Sequence, residues 1–311
     1  MVPRISCRKQ CKARECGVFT QRLSGQGQVV SVYSKAINVL HQDGLIASLV
    51  QSQAQMSALS IRVPSFFRSS ESQGIQLKPG DRSLFEGSRL IINDLCFDLS
   101  TGATWEGRLE ANDLEGFSLP RLPLFRKALV EEGKRGGLLG LIHREEREDP
   151  FVRKASHILD EAWARDEKRS FGKGLSRLVG LGVGFTPSGD DFISGVFLGQ
   201  TILELLSCSR PKGTRMKRDG TTLRAIESEE IRKVLDKTNH SGRTLLWQVL
   251  EGHFPYYLIE AVRGLARAEN TSEILKSVGR AASHGETSGT DALVGLFVYL
   301  DWVINLCGNT C

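Results

Sequence analysis

At 311 residues, with 40% hydrophobic and 25% charged side chains, the chain is long enough for two domains and apolar enough to build ordinary cores, which excludes a disordered or fibrous protein. The net charge of +5 gathers in two local runs, residues 4–14 and 210–218, without aromatic–basic interleaving, so it does not mark a nucleic-acid surface. No apolar stretch reaches the roughly 18–20 residues needed to span a bilayer; residues 292–306 are broken by Asp301 and read as a core helix.

The seven cysteines, at positions 7, 11, 16, 96, 208, 307 and 311, form no CxxC pair, so a reducing compartment is expected, and the cytoplasm with it. Cys7, Cys11 and Cys16 are irregularly spaced and lack a fourth ligand for zinc. Residues 1–27 are basic without the continuous apolar core of a secretory signal, and a disordered leader is expected there.

From 28 to 110 the pattern is strand-like. Residues 29–33, 60–63 and 89–92 are rich in β-branched side chains and bounded by Gly, Pro or Asp, with one helical stretch expected over 35–50. Residues 111–150, carrying Pro120, Pro123 and Gly136-Gly137, read as a connector with helical pieces. From 151 to 308 the helical period dominates: Phe151, Val152, Ala155, Ile158, Leu159, Ala162 and Trp163 fall on one face. Further helices are expected at 189–207, 226–237, 242–267, 271–282 and 289–306, with a basic polar loop at 209–221. The fold class is α+β, a β-rich N-terminal domain followed by a mostly α-helical C-terminal one.

The least ordinary segment is GLGVGFTPSGDDFISG, residues 180–195. Gly180, Gly182, Gly184 and Gly189 make a backbone that turns sharply and admits a ligand closely. Thr186-Pro187-Ser188 then leads into a strongly apolar helix, and amides exposed at a helix start suit an anion. Neither a Walker loop nor a dinucleotide fingerprint fits the spacing. The pattern S-G-x-D-x-x-x-G-x-F recurs 100 residues on: Ser188, Gly189, Asp191, Gly195 and Phe197 answer to Ser288, Gly289, Asp291, Gly295 and Phe297. Two paired helices are expected, their N-termini facing one place and Gly195 and Gly295 letting them approach.

Capping boxes, Ser188 with Asp191 and Ser288 with Asp291, account for part of this without any function. They leave the glycine run, Thr186-Pro187 and Asp190 unexplained. Carboxylates in a first turn compete with an anion for the helix dipole. Either Asp190 and Asp191 hold Mg²⁺ that bridges to phosphate, or they orient an amide or amine while loop amides hold an oxyanion. His284, just ahead of the second helix start, is a candidate general acid–base. Asn239, in Thr238-Asn239-His240-Ser241 before an apolar helix, reads as a cap that can line the site. The candidate set is therefore Asp190, Asp191, His284 and Asp291 for chemistry, and Gly182, Gly184, Thr186, Ser188, Gly189, Asn239, Ser288 and Gly289 for the ligand.

GLGVGFTPSGDD resembles the G-L-G-x-G-x-T-P-S-G-D-D signature of the AllH-like bacterial family, and residues 284–295 resemble its second motif, G-x-S-S-G-x-D-x-x-x-G. Ser34-Lys-Ala-Ile-Asn38 and Thr238-Asn239-x-Ser241 are similar to weaker family positions, so the resemblance spans about residues 28–306. Val183 stands where proline is common, and Glu286-Thr287 and the 210–218 insertion also depart from the pattern. Some members form a subunit of oxamate carbamoyltransferase in purine (allantoin) breakdown. The resemblance implies carbamoyl transfer between oxalurate or oxamate and phosphate or carbamoyl phosphate, with partner subunits. It leaves open whether this subunit holds the chemistry or is a non-catalytic assembly or regulatory subunit.

Overall fold

The computed structural model describes residues 9–70, 76–143, 148–163, 168–208 and 227–308. The basic loop expected at 209–221 lies outside the described residues. The chain divides after Gly107 into two compact units, the first strand-rich and the second helical.

The first unit is one ten-stranded sheet: β1 (Lys9–Lys12), β2 (Glu15–Gly17), β3 (Gly25–Val32), β4 (Ala36–His41), β5 (Ile46–Val50), β6 (Ser60–Arg62), β7 (Arg82–Glu86), β8 (Arg89–Ile92), β9 (Leu95–Asp98) and β10 (Ala103–Trp105). Its order is β1-β9-β8-β7-β3-β4-β5-β6-β2-β10. β1 lies at one end of this order and β2 next to the other end, yet only Ala13 and Arg14 separate them. The sheet must therefore curl until its ends meet, and Ala13 N–H to the Asp98 carbonyl (2.8 Å) with Arg14 N–H to the Arg62 carbonyl (2.8 Å) ties the seam. Val39, Leu49, Ile61, Leu90, Ile92 and Phe97 are fully buried in this unit. Phe66, on helix α1 (Pro64–Ser70), packs edge-on to Phe97 at 5.2 Å. Asn38 is buried between two strands, donating to Ser31 Oγ (2.8 Å) and accepting from Ser48 Oγ (2.7 Å).

Two expectations are corrected here. Residues 9–27, expected as a disordered leader, form β1, β2 and the start of β3. Their alternation was hidden by shortness, because strands of three or four residues carry almost no periodic signal. Residues 35–50, expected as a helix, are β4 and β5, joined through a turn in which Gly44 has φ +79°. Asp43-Gly44 between β-branched runs is a hairpin signature and outweighs the helical spacing. Cys11 and Cys16 lie buried in β1 and β2.

The second unit contains α2 (Leu122–Glu132), α3 (Pro150–Trp163), α4 (Lys168–Ser176), α5 (Ser188–Cys208), α6 (His240–Leu250), α7 (Tyr256–Arg267), α8 (Thr271–Ala282) and α9 (Ser288–Gly308). The stretch read as a connector belongs to this unit, with Leu122, Phe125, Ala128 and Leu129 of α2 buried. The single helix expected over 242–267 is two, because Gly252 (φ +80°) and Pro255 end one and begin the next. On α3, Val152, Ala155, Ile158, Leu159 and Ala162 are buried, as their spacing predicts.

α5 and α9 form the centre. Both are apolar on nearly every face, the composition of helices enclosed by neighbours. A Cβ on Gly195 would overlap the Ala292 carbonyl, and one on Gly295 would overlap the Phe192 carbonyl. These contacts are reciprocal across the 100-residue repeat, so the helices cross backbone to backbone about a local two-fold. No side chain fits at either crossing. We expect Gly195→Ala and Gly295→Ala each to destabilise the protein by about 3 kcal/mol, read from urea or thermal unfolding.

Candidate functional site

The crossing brings the N-termini of α5 and α9 together. The loop before α5 turns through Gly180 (φ +72°), Gly182 (φ +111°) and Gly184 (φ +116°), conformations that L side chains rarely adopt. Among the described residues, the N–H groups of Gly182, Val183, Gly184, Phe185 and Thr186 donate to no protein acceptor. The same holds before α9 for Gly285, Glu286, Thr287 and Ser288. Two runs of unused amide donors thus flank the paired helix starts, an arrangement suited to an anion.

Beneath them lie the carboxylates. Asp190 is buried; Gly180 N–H donates to its Oδ1 at 2.8 Å and the Thr238 hydroxyl to its Oδ2. Burial still pushes it up to about 6. Asp191 is buried as well, and Thr186 Oγ1 donates to its Oδ2 at 2.9 Å. Ser288 Oγ lies 3.0 Å from the same Thr186 hydroxyl, so it can donate in turn, and a hydroxyl chain links α9 to the α5 carboxylate. Burial first, then the nearby Asp291, raises Asp191 well above the usual carboxylate range. Asp291 is fully buried and pushed up to about 6 by burial. Leu138 N–H donates to its Oδ1 at 2.6 Å, while Oδ2 is buried with no hydrogen-bond partner. The Ser188 and Thr287 hydroxyls favour its charged form from nearby but do not reach bonding geometry at Oδ2.

The capping boxes are not what holds the helix starts. Asp191 N–H goes to the Pro187 carbonyl (3.2 Å) and Asp291 N–H to the Thr287 carbonyl (2.8 Å), where a box would use the serines. Gly189 and Gly289 also differ from expectation. Their N–H groups donate to the carbonyls of Leu181 (2.8 Å) and His284 (3.0 Å), and a Cβ would overlap the carbonyls of Leu178 and Ala281. Close packing therefore explains these two glycines, and their amides are already in use. Asp190 and Asp191 serve separate donors, so a Mg²⁺ ion shared between them would compete with those bonds. Among the described residues no group of three or more His, Cys, Asp and Glu could hold a metal ion.

His284 stacks on Tyr257 with ring centroids 4.0 Å apart. Burial, and then the charge of Lys134, lowers it to about 4, so its imidazole is neutral near pH 7. Asn239 caps α6, accepting from Gly242 N–H at 2.8 Å, and its Nδ2 donates to the Gly184 carbonyl at 3.3 Å. It thereby holds the glycine loop as well as a helix.

Five participants lie outside the sequence-derived set. Thr238 bonds Asp190, and its neighbours in the Thr238–Ser241 run carried the only signal for it. Gly137 and Leu138 cover Asp291; a Cβ on Gly137 would overlap its carboxylate. The Gly136-Gly137 pair was visible, but nothing in sequence joins it to a helix 150 residues away. Tyr257, buried and raised by that burial and by Asp191 and Asp291, had no signal. Lys134 donates to the carbonyls of Ser283 (3.2 Å) and Gly285 (2.6 Å), fixing the turn before α9.

The chain thus combines a curled sheet unit with a helical unit whose two repeated helices meet at acid-lined N-termini, and among the described residues no helix is long and apolar enough to cross a membrane. Family comparison then places it: residues 178–300 match the model for oxamate carbamoyltransferase subunit AllH, and residues 9–104 match that for the AllH family N-terminal domain. The chain belongs to the AllH family, a family of carbamoyltransferase-associated subunits. No curated protein and no solved structure shows significant similarity to it. The paired helix starts fall within the first match, whereas the covering segment at Lys134–Leu138 falls outside both.

The buried carboxylates set a pH dependence. Asp291 has a folded value above its ordinary one, so its contribution to stability is present at low pH and is lost as pH rises through about 6. His284 acts oppositely, losing stability as pH falls through about 4, and this term cancels between wild type and variant. Asp291→Asn should therefore gain about 1 kcal/mol relative to wild type between pH 5 and pH 7, as measured by denaturant unfolding at both values.

Proposed function

We propose that the chain is the anion-binding subunit of a carbamoyltransferase, moving a carbamoyl group between oxalurate or oxamate and phosphate or carbamoyl phosphate. The observation that carries this is the pair of unused amide runs, 182–186 and 285–288, at the meeting of two helix N-termini. Donors preorganised in this way stabilise a carboxylate or phosphate oxygen, and the developing oxyanion of carbamoyl transfer, without reorganising. The family assignment supplies the reaction class. Thr186, Ser188 and Ser288 add hydroxyl donors, Asp191 and Asp291 take N–H groups of the substrate, and neutral His284 accepts a proton. Mg²⁺ enters this reading only through a phosphate-bearing ligand. Val183 and Phe185, exposed at the tip of the loop, suit burial against a partner subunit.

A second reading, a non-catalytic assembly or regulatory subunit, is favoured by one observation: both oxygens of Asp190 already serve the protein's own donors. Calorimetric titration separates the two. Carbamoyl phosphate, oxamate, oxalurate and phosphate are titrated into the full chain with and without Mg²⁺. Saturable binding that weakens about tenfold or more in a folded Asp191→Asn variant supports the ligand-binding reading. Absence of saturable binding of all four compounds to the folded wild-type chain supports the structural one.

A further inference from the structure

The three buried aspartates are not equivalent. Asp190 accepts from Gly180 and Thr238, and Asp191 from Thr186. Asp291 accepts from Leu138 at Oδ1, but its Oδ2, fully buried, has no partner among the described residues. An unpaired carboxylate oxygen in a buried position is costly, and the cost is removed when a donor arrives. Thr186, Thr287, Ser288 and His284 are half-buried where Asp191 and Asp291 are buried. A ligand entering from solvent therefore meets amides, hydroxyls and imidazole first and the carboxylates last. The amide runs satisfy oxygens; the deepest group must instead bring hydrogen.

We propose that Oδ2 of Asp291 is the acceptor for an N–H of the ligand's amide, making Asp291 the residue that selects an amide-bearing anion over an isosteric one without N–H groups. This rests on the functional reading above and names the part of the ligand that Asp291 reads. The Leu138 contact fixes the direction of the selection. Because Leu138 N–H requires an acceptor at position δ1, an asparagine at 291 must turn its oxygen to Leu138 and leave its NH₂ in the place of Oδ2. The variant then meets an amide N–H with another N–H.

Oxamate and pyruvate form the test, since they carry the same charge and nearly the same shape and differ by NH₂ against CH₃. Titration calorimetry of the full chain should show oxamate binding tighter than pyruvate by roughly tenfold to a hundredfold in the wild type. In Asp291→Asn, checked by circular dichroism for a folded chain, that preference should vanish while pyruvate affinity stays within about threefold. Equal affinities in the wild type overturn the proposal even when the variant does not fold. An oxamate preference that survives intact in folded Asp291→Asn also overturns it, and leaves the anion-binding reading standing. Failure of the wild type to bind either compound, or phosphate, overturns both.

Discussion

The close crossing of α5 and α9 is the constraint on which the helical unit depends. Two carbonyls occupy the space that side chains at 195 and 295 would need, so the helices touch along their backbones near their first two turns. That contact brings two helix N-termini together, a placement their dipoles oppose unless negative charge sits between them. Asp191 and Asp291 supply it, one from each helix. Their burial raises both, so the protein carries a compromise: enough negative charge to hold the helix starts together, held where it is easily neutralised.

The same compromise answers how an anion can share a site with acids. Apart from Ser288, the free amides lie in the loops before the helices, whereas the N–H groups of Gly189, Asp191, Gly289 and Asp291 in the first turns go to the carbonyls of Leu181, Pro187, His284 and Thr287. Donors for a ligand and acceptors for its hydrogens are thus layered. An ordinary helix N-terminus would present a single layer, and an aspartate there would simply displace the anion.

The helical centre was legible in sequence because it repeats. S-G-x-D-x-x-x-G-x-F at an interval of 100 residues announces two equivalent helices, and the glycine within each marks their crossing. What stayed hidden is contact made once and at long range. Gly137 and Leu138 reach Asp291, and Tyr257 reaches His284, through no pattern that a single chain displays. Gly189 and Gly289 misled for the opposite reason: their place beside the motif suggested a ligand, while their real constraint is a backbone carbonyl eight to eleven residues earlier, that of Leu178 or Ala281. In the sheet unit, the β-branched runs at 29–33, 60–63 and 89–92 were read correctly, whereas β4 and β5 were masked by an apolar spacing that also suits a helix. β1, β2 and β10, three or four residues each, exist by virtue of their partners rather than their composition.

The seam of the sheet has a consequence for the order of events as the chain is made. β1 pairs with β9 and the outer edge of β2 with β10, so the earliest residues complete their pairing only against strands some 86–88 positions later in the chain, as in Lys9 with Leu95 and Cys16 with Thr104, although β2 meets β6 sooner, as in Glu15 with Arg62. The central hairpins from β3 to β5 can form while synthesis continues, and β2 can join β6 once Arg62 has emerged, but β1 must wait for β9 and the free edge of β2 for β10. A chain built this way has a high contact order and a slow final step. During that wait the short length of β1, with Lys9 and Lys12 at its two ends, keeps it a poor template for pairing with another molecule.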